Sequence, residues 1–227
     1  MTIHKTSVVL LLVLTGAAST FMLGCRSHHR GLESEYRSNG GALTISKMGG
    51  EIDVDDAPQG ATLSTMGGDI RLSSVGEFAK VKTMGGNVTI DNAEAAVDAT
   101  TMGGNVTLKS VNGAIKATTM GGDVTARLVG SSDQRRDIEL SSLGGTITLT
   151  VPKDFPMDVR IKLAYTKNAN RSFDIIQHAG LSQRESAEWD TSQGSPRKYI
   201  YAEGRVGSGL NHVEIKTING DVILKQE

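Results

Sequence analysis

One phrase, Met-Gly-Gly followed by Asp, Asn or Glu and then alternating apolar residues, recurs at a fixed spacing and limits what this chain can fold into. It starts at Met48, Met66, Met84, Met102 and Met120, each copy 18 residues after the last. A relaxed copy starts at Leu143 after a five-residue insertion, and Ile218-Asn219-Gly220-Asp221-Val222-Ile223-Leu224 echoes it near the end. A period this strict identifies a repeat architecture, in which each unit buries its apolar face only against its neighbours.

Within a copy the apolar residues alternate. Leu63, Val81, Ala99 and Ala117 share one position between polar neighbours, and Ile70 and Leu72, Val88 and Ile90, Val106 and Leu108 alternate after the glycines. Period two is a strand signal. Each copy therefore reads as strand, Gly-Gly corner, strand and second corner, the latter written Pro58-Gln59-Gly60, Val75-Gly76-Glu77 or Val111-Asn112-Gly113. The Gly-Gly pairs take 12 of the 27 glycines, and glycine is expected at corners because it adopts conformations that side chains forbid. The fold class is all-β: a β-solenoid, either a right-handed β-helix or a flattened roll, with 18-residue coils and an irregular C-terminal cap. Six rungs at about 4.8 Å make a regular rod of about 29 Å. A left-handed hexapeptide helix does not fit, because steps of six from Ile70 land on Gly76, Lys82, Val88 and Glu94. Aromatic residues are only 4% of the chain, so the core is expected to use Val, Ile, Leu, Ala and Met, with the corner methionines as flexible filler.

The first 25 residues carry Lys5, an apolar run from Val8 to Leu14, small residues and then Gly24-Cys25. That is an export signal, too short to span a membrane. Cys25 is the sole cysteine, so no disulfide can form within the chain. Met22-Leu23-Gly24-Cys25 resembles the lipobox of bacterial lipoproteins, which implies that Cys25 becomes a lipidated first residue and that the membrane is a partner. An ordinary secretory signal cut near Ala17 to Ser19 is the alternative. Arg26, rather than Asp, follows the cysteine, so delivery to the outer membrane or its periplasmic side is expected in a host with two membranes. The expected organisation is a signal peptide over 1–24, a lipidated tether over 25–40, regular repeats over 41–150, and degenerate coils with a cap of the same domain over 151–227. The mature part carries 23 basic and 25 acidic residues, a balance that argues against nucleic acid as a partner.

Few residues stand out as chemistry. Glu51, Asp69, Asn87, Asn105, Asp123, Thr146 and Asp221 form a column after the glycines. A calcium ladder on Asp69, Asn87, Asn105 and Asp123 is an alternative, but apolar Ile70, Val88, Val106 and Val124 stand where a calcium nonapeptide needs glycine. The expected role is bonding of adjacent turn amides. The methionine column could hold Cu(I), though core filling accounts for it more simply. Thr65, Thr83, Thr101 and Thr119 form one threonine column and Thr89, Thr107 and Thr125 another, candidates for an outward array explained by β-propensity. No Ser-His-Asp set, paired carboxylates or phosphate loop appears, so no enzyme activity and no cofactor are expected. A glycan-processing alternative requires Asp133, Asp137, Glu185 and Glu188 to converge, whereas the insertion around Arg135-Arg136 reads as a solvated loop. Six of the nine aromatics fall in the cap: Phe155, Tyr165, Phe173, Trp189, Tyr199 and Tyr201. Capping an open solenoid end explains them, and Trp189, Tyr199 and Tyr201 are the candidates for contact with a glycan or an envelope protein.

The recurring Gly-Gly-Asp-Val pattern resembles a bacterial adhesin-named family of unknown function with a toast-rack-like β-solenoid domain. So does the ending from Gly207-Ser208-Gly209 through Val213-Glu214-Ile215-Lys216-Thr217-Ile218-Asn219-Gly220-Asp221-Val222. The resemblance covers about residues 40–227. It implies a non-catalytic, envelope-associated, adhesin-like or scaffolding protein, and it carries over no catalytic or binding residue.

Overall fold

The computed structural model describes residues 34–227 apart from 40, 132, 133, 170 and 193. Cys25 and Asp133 lie outside the described residues. The first strands are β1 (Ser34–Asn39), β2 (Ala42–Lys47), β3 (Ile52–Ala57), β4 (Ala61–Thr65), β5 (Ile70–Val75), β6 (Phe78–Thr83) and β7 (Val88–Ala93). Next come β8 (Ala96–Thr100), β9 (Val106–Val111), β10 (Ile115–Thr119), β11 (Val124–Leu128), β12 (Ile138–Ser142) and β13 (Ile147–Val151). The cap and last coil hold β14 (Met157–Thr166), β15 (Ile175–Gln177), β16 (Ser182–Glu185), β17 (Arg197–Val206), β18 (Asn211–Ile218) and β19 (Val222–Gln226). No helix occurs among the described residues.

The strands form two sheets. The first has 11 strands in the order β1-β2-β4-β6-β8-β10-β12-β18-β14-β17-β16, and the second has eight, β15-β19-β13-β11-β9-β7-β5-β3. Each coil gives one strand to each sheet, so the solenoid is flattened between two faces. The 18-residue register is kept residue by residue: Leu63 pairs with Val81, Val81 with Ala99 and Ala99 with Ala117. These side chains alternate into the space between the sheets, where they are buried. The segment expected as tether is a strand over its last part, because β1 pairs antiparallel with β2 and covers that sheet edge.

Three features differ from what the sequence suggests. The corner methionines are not core filler: Met48, Met66, Met84, Met102 and Met120 are 69, 50, 43, 45 and 48% exposed. The preceding threonines point inward instead, because their hydroxyls have backbone partners there. Thr83, Thr101 and Thr119 donate to the carbonyls of Gly68, Gly86 and Gly104 on the preceding rung at 2.9, 2.8 and 2.8 Å. The Gly-Gly pairs, finally, are not a conformational demand, since only Gly50 among them has positive φ. The second glycine is needed for close approach of rungs: a Cβ on Gly68, Gly86 or Gly104 would sit 2.0, 2.1 or 2.1 Å from the carbonyl oxygen of the rung before.

The threonine ladder gives a direct expectation. Thr101 also accepts a bond from the Gly104 amide at 3.2 Å. Thr101→Val keeps the shape and orphans two backbone groups, so a loss of about 1–3 kcal/mol is expected in urea unfolding. Thr101→Ser is expected to stay close to wild type, because Ser142 performs the same role in the sixth rung, donating to the Gly122 carbonyl at 2.8 Å and accepting from the Gly145 amide at 2.9 Å.

The insertion is not a solvated loop throughout. Arg136 is 3% exposed; it donates from Nη1 to the Val129 carbonyl at 2.6 Å and from Nη2 to that of Ser131. Its amide donates to Asn211 Oδ1 at 2.7 Å, and Asn211 Nδ2 donates to the Pro156 carbonyl at 2.6 Å. Insertion, cap and last coil are thereby stitched together. The C-terminal echo is a true seventh rung: β18 and β19 stack in parallel on β12 and β13. The chain leaves after β13, builds β14 to β17, and returns so that β18 lies between β12 and β14.

Candidate functional site

The capped end of the first sheet carries the densest set of unusual side chains. Alternation along β17 turns Ile200 and Ala202 into the core and leaves Tyr199 and Tyr201 on the outer face, their rings 6.0 Å apart and 30° from parallel. Register places Lys216, Lys162, Tyr201 and Arg184 in one row across β18, β14, β17 and β16. Lys162 Nζ lies 4.5 Å from the Tyr199 ring centre and the Arg184 guanidinium 4.4 Å from that of Tyr201, contacts in which the electron-rich ring faces attract the cations. A groove of about 210 Å³ runs beside this row, lined among others by Ser141, Lys162, Ala164, Arg197, Tyr199 and Lys216.

The groove has three cations and no carboxylate among its lining residues. Lys216 is bonded to Glu214 at 2.6 Å, while Nε of Arg197 is buried without a hydrogen-bond partner. Tyr199 donates its hydroxyl to Asp190 at 3.0 Å. Burial first, and then that bond, pushes its phenol above the ordinary value. Bonds from the Ser192 hydroxyl and amide hold the Asp190 carboxyl below the usual range. An apolar floor at Ala164 and Ile218 under a cationic rim suits an anionic group carried on a ring or chain.

The three aromatics named as candidates for contact with a glycan or a protein, Trp189, Tyr199 and Tyr201, lie on two different faces. Trp189 packs edge-on to Tyr165 at 5.7 Å and 80°, with Lys198 Nζ 5.6 Å from its ring. Tyr165 and Lys198 are a cross-strand pair on the opposite face of β14 and β17 from Tyr199 and Tyr201, so Trp189 belongs to the plug of the solenoid end. Tyr165 donates its hydroxyl to Glu185, and this bond, with burial, pushes the phenol up to about 12. Since the folded value lies above the ordinary one of about 10, the bond's contribution to stability is complete below pH 10 and is lost as pH rises through about 12. Glu185→Gln is expected to bring the Tyr165 transition down toward 10 in an ultraviolet titration of tyrosinate, leaving the other tyrosines in place.

The Asx column does what the sequence suggests. Asp69 Oδ1 accepts from the Asn87 amide at 2.7 Å, Asn87 from Asn105 at 2.9 Å, Asn105 from Asp123 at 2.8 Å and Asp123 from Thr146 at 2.7 Å. The Oδ1 atom of each of these four residues is thus engaged with the next rung. Among the described residues no cluster of three or more His, Cys, Asp or Glu could hold a metal. Asp137 stands at the start of β12, near Arg135 at 3.3 Å. Glu185 ends β16, four strand steps away in the sheet order and beside Ile200 at the far end of the strands, so these carboxylates do not converge. A larger groove of about 510 Å³ lies over the starts of the first-sheet strands β6, β8, β10, β12 and β18. Its charges compensate one another, with Lys116 on Glu139 at 3.1 Å and Arg135 on Asp137.

Sequence reasoning missed Lys162, Arg197 and Lys216. Alternation in 157–163 and 213–217 marks both lysines as outward, but only the out-of-order return of β18 makes them neighbours. The family model described as Toastrack DUF4097 matches residues 35–225. No curated protein and no solved structure matches the chain.

Proposed function

The chain belongs to the Toastrack DUF4097 family, and on that premise we propose that it is a lipid-anchored, non-catalytic module of the cell envelope, presenting a binding face in an adhesin-like or scaffolding role. The observation that carries this reading is the order of the first sheet. Strand β1, the described strand nearest Cys25, lies at one edge, and β17 and β16 with Tyr199, Tyr201 and Arg184 lie at the other. Ten strand steps separate the edges, about 48 Å along the sheet. A lipid on Cys25 would tether one end and hold the cationic, aromatic face away from it. Arg26 favours the outer membrane in a host that has one.

The test is mass spectrometry of the mature N-terminus from host membranes, comparing wild type with Cys25→Ala. A diacylglyceryl-modified Cys25, with membrane retention lost in the variant, supports the anchor; an unmodified terminus cut near Ala17 to Ser19 removes it. The groove favours a second, narrower reading, contact with an acidic glycan through Lys162, Arg197, Lys216 and Tyr199. Calorimetry with uronic-acid and neutral polysaccharides tests it: binding of the acidic polymer alone, weakened at least about tenfold by Lys162→Ala with Lys216→Ala, is the expected result, each lost charge-assisted contact being worth about 1.5–3 kcal/mol.

A further inference from the structure

The repeated phrase Thr-Met-Gly-Gly contains two residues that the fold demands and two that it does not. The threonine hydroxyl and the second glycine are fixed by the preceding rung. The first glycine is not: Gly49 and Gly67 have nothing within 4 Å of an added Cβ, and the nearest atoms to one on Gly85 or Gly103 are 3.9 and 3.7 Å away. The methionine is not demanded either, since it projects into solvent at five successive corners, and Leu143 takes its place in the sixth rung with 48% exposure. Meanwhile the buried position shared by Leu63, Val81, Ala99 and Ala117 has drifted in size. A surface position that keeps one residue type while a core position drifts needs a cause other than packing.

We propose that the ridge formed by Met48, Met66, Met84, Met102 and Met120 is a binding site for a soft monovalent cation of the Cu(I) and Ag(I) class, held between thioethers of adjacent rungs. The corners are stacked in register, as shown by the Gly103 amide donating to the Met84 carbonyl at 3.1 Å. Neighbouring methionines are thus offset by one rung, about 4.8 Å. At this spacing the three rotatable bonds of each methionine let the sulfurs of two adjacent rungs reach one shared cation from either side. Thioethers select soft ions. The Oδ1 atoms of Asp69, Asn87, Asn105 and Asp123, three residues after the methionines, are committed to backbone amides of the next rung, so the soft ligands of the ridge are the thioethers. The bare first glycines leave the approach open. Five thioethers taken two at a time hold at most two ions.

The test is a silver nitrate titration of the full chain carrying Cys25→Ala, which removes the one thiol that would take silver first, in detergent and chloride-free buffer, followed by NMR of the methionine methyl groups. The ridge methyl signals are expected to shift and to saturate near two equivalents, while Met157, buried in the core, stays still and serves as an internal control. Replacing all five ridge methionines by leucine is expected to remove this uptake and leave the circular dichroism unchanged, as Leu143 already shows the position tolerates leucine. The smaller variant Met84→Leu with Met102→Leu leaves one adjacent pair, Met48 and Met66, and should halve the capacity. Ridge signals that stay unmoved in excess silver, or equal uptake by the leucine variants, would overturn the proposal.

Discussion

Gly86→Ala is expected to destabilise the protein by about 3 kcal/mol or more, at the upper end of overpacking effects, whereas Gly85→Ala, one residue earlier, should change stability by less than about 0.5 kcal/mol. A Cβ on Gly86 would lie 2.1 Å from the Gly68 carbonyl oxygen and 2.3 Å from its carbon. Those atoms are backbone, and they are held in place: Thr83 donates to the same carbonyl at 2.9 Å, and the Asn87 amide donates to Asp69 at 2.7 Å. No rotamer change relieves the clash. The rungs must separate, which stretches bonds such as that from the Ile70 amide to the Asn87 carbonyl at 2.8 Å. At Gly85 the nearest atom is 3.9 Å away and φ is not positive, so alanine fits, and its smaller unfolded-state entropy offsets any residual cost. Urea unfolding of the two variants side by side decides the matter. Equal losses would mean that the pair serves the corner's own conformation, as sequence reasoning first suggests.

Much of the fold is legible in the sequence because a repeat states its constraints many times over. The 18-residue spacing fixes which residues stack, alternation fixes which face is buried, and the Asx column follows from its place beside the turn. What stays hidden is local. Thr101, Met102 and Gly103 stand at a corner, where period two breaks down, so polarity alone assigns threonine outward and methionine inward. The reverse holds, because the threonine hydroxyl finds a carbonyl and an amide inside, and the methionine finds no space there. The candidate site is hidden for a topological reason. Lys162 and Lys216 are far apart in sequence and become neighbours only because β18 slips between β12 and β14. Trp189 and Tyr199 are close in sequence, yet packing of Trp189 against Tyr165 sends them to opposite faces of one strand.

Deleting residues 84–101 is expected to give a folded protein one rung shorter, and deleting residues 84–92 to give none. The first deletion joins Thr83 to Met102 and removes one strand from each sheet, β7 and β8. Ile70 then meets Val106 and Leu72 meets Leu108 in the second sheet, and Val81 meets Ala117 in the first, with every inward residue still inward. The corner survives as well: Thr83 keeps its bond to Gly68, and the Asn105 amide takes the place of Asn87 on Asp69. What is lost is one interface between rungs and the two ion pairs of Asp91, to Arg71 at 3.0 Å and Lys109 at 2.7 Å. Exposed pairs of this kind contribute about 0–1 kcal/mol, so bringing Arg71 beside Lys109 is tolerable. The nine-residue deletion instead runs β6 straight into β8, two consecutive strands of the same sheet with no strand for the other, and the following rungs cannot close. Circular dichroism and thermal melting separate the outcomes: a cooperative transition and β spectrum are expected for the first variant, and aggregation or a featureless melt for the second. Similar behaviour of the two would refute the assignment of one strand per sheet to each 18-residue coil.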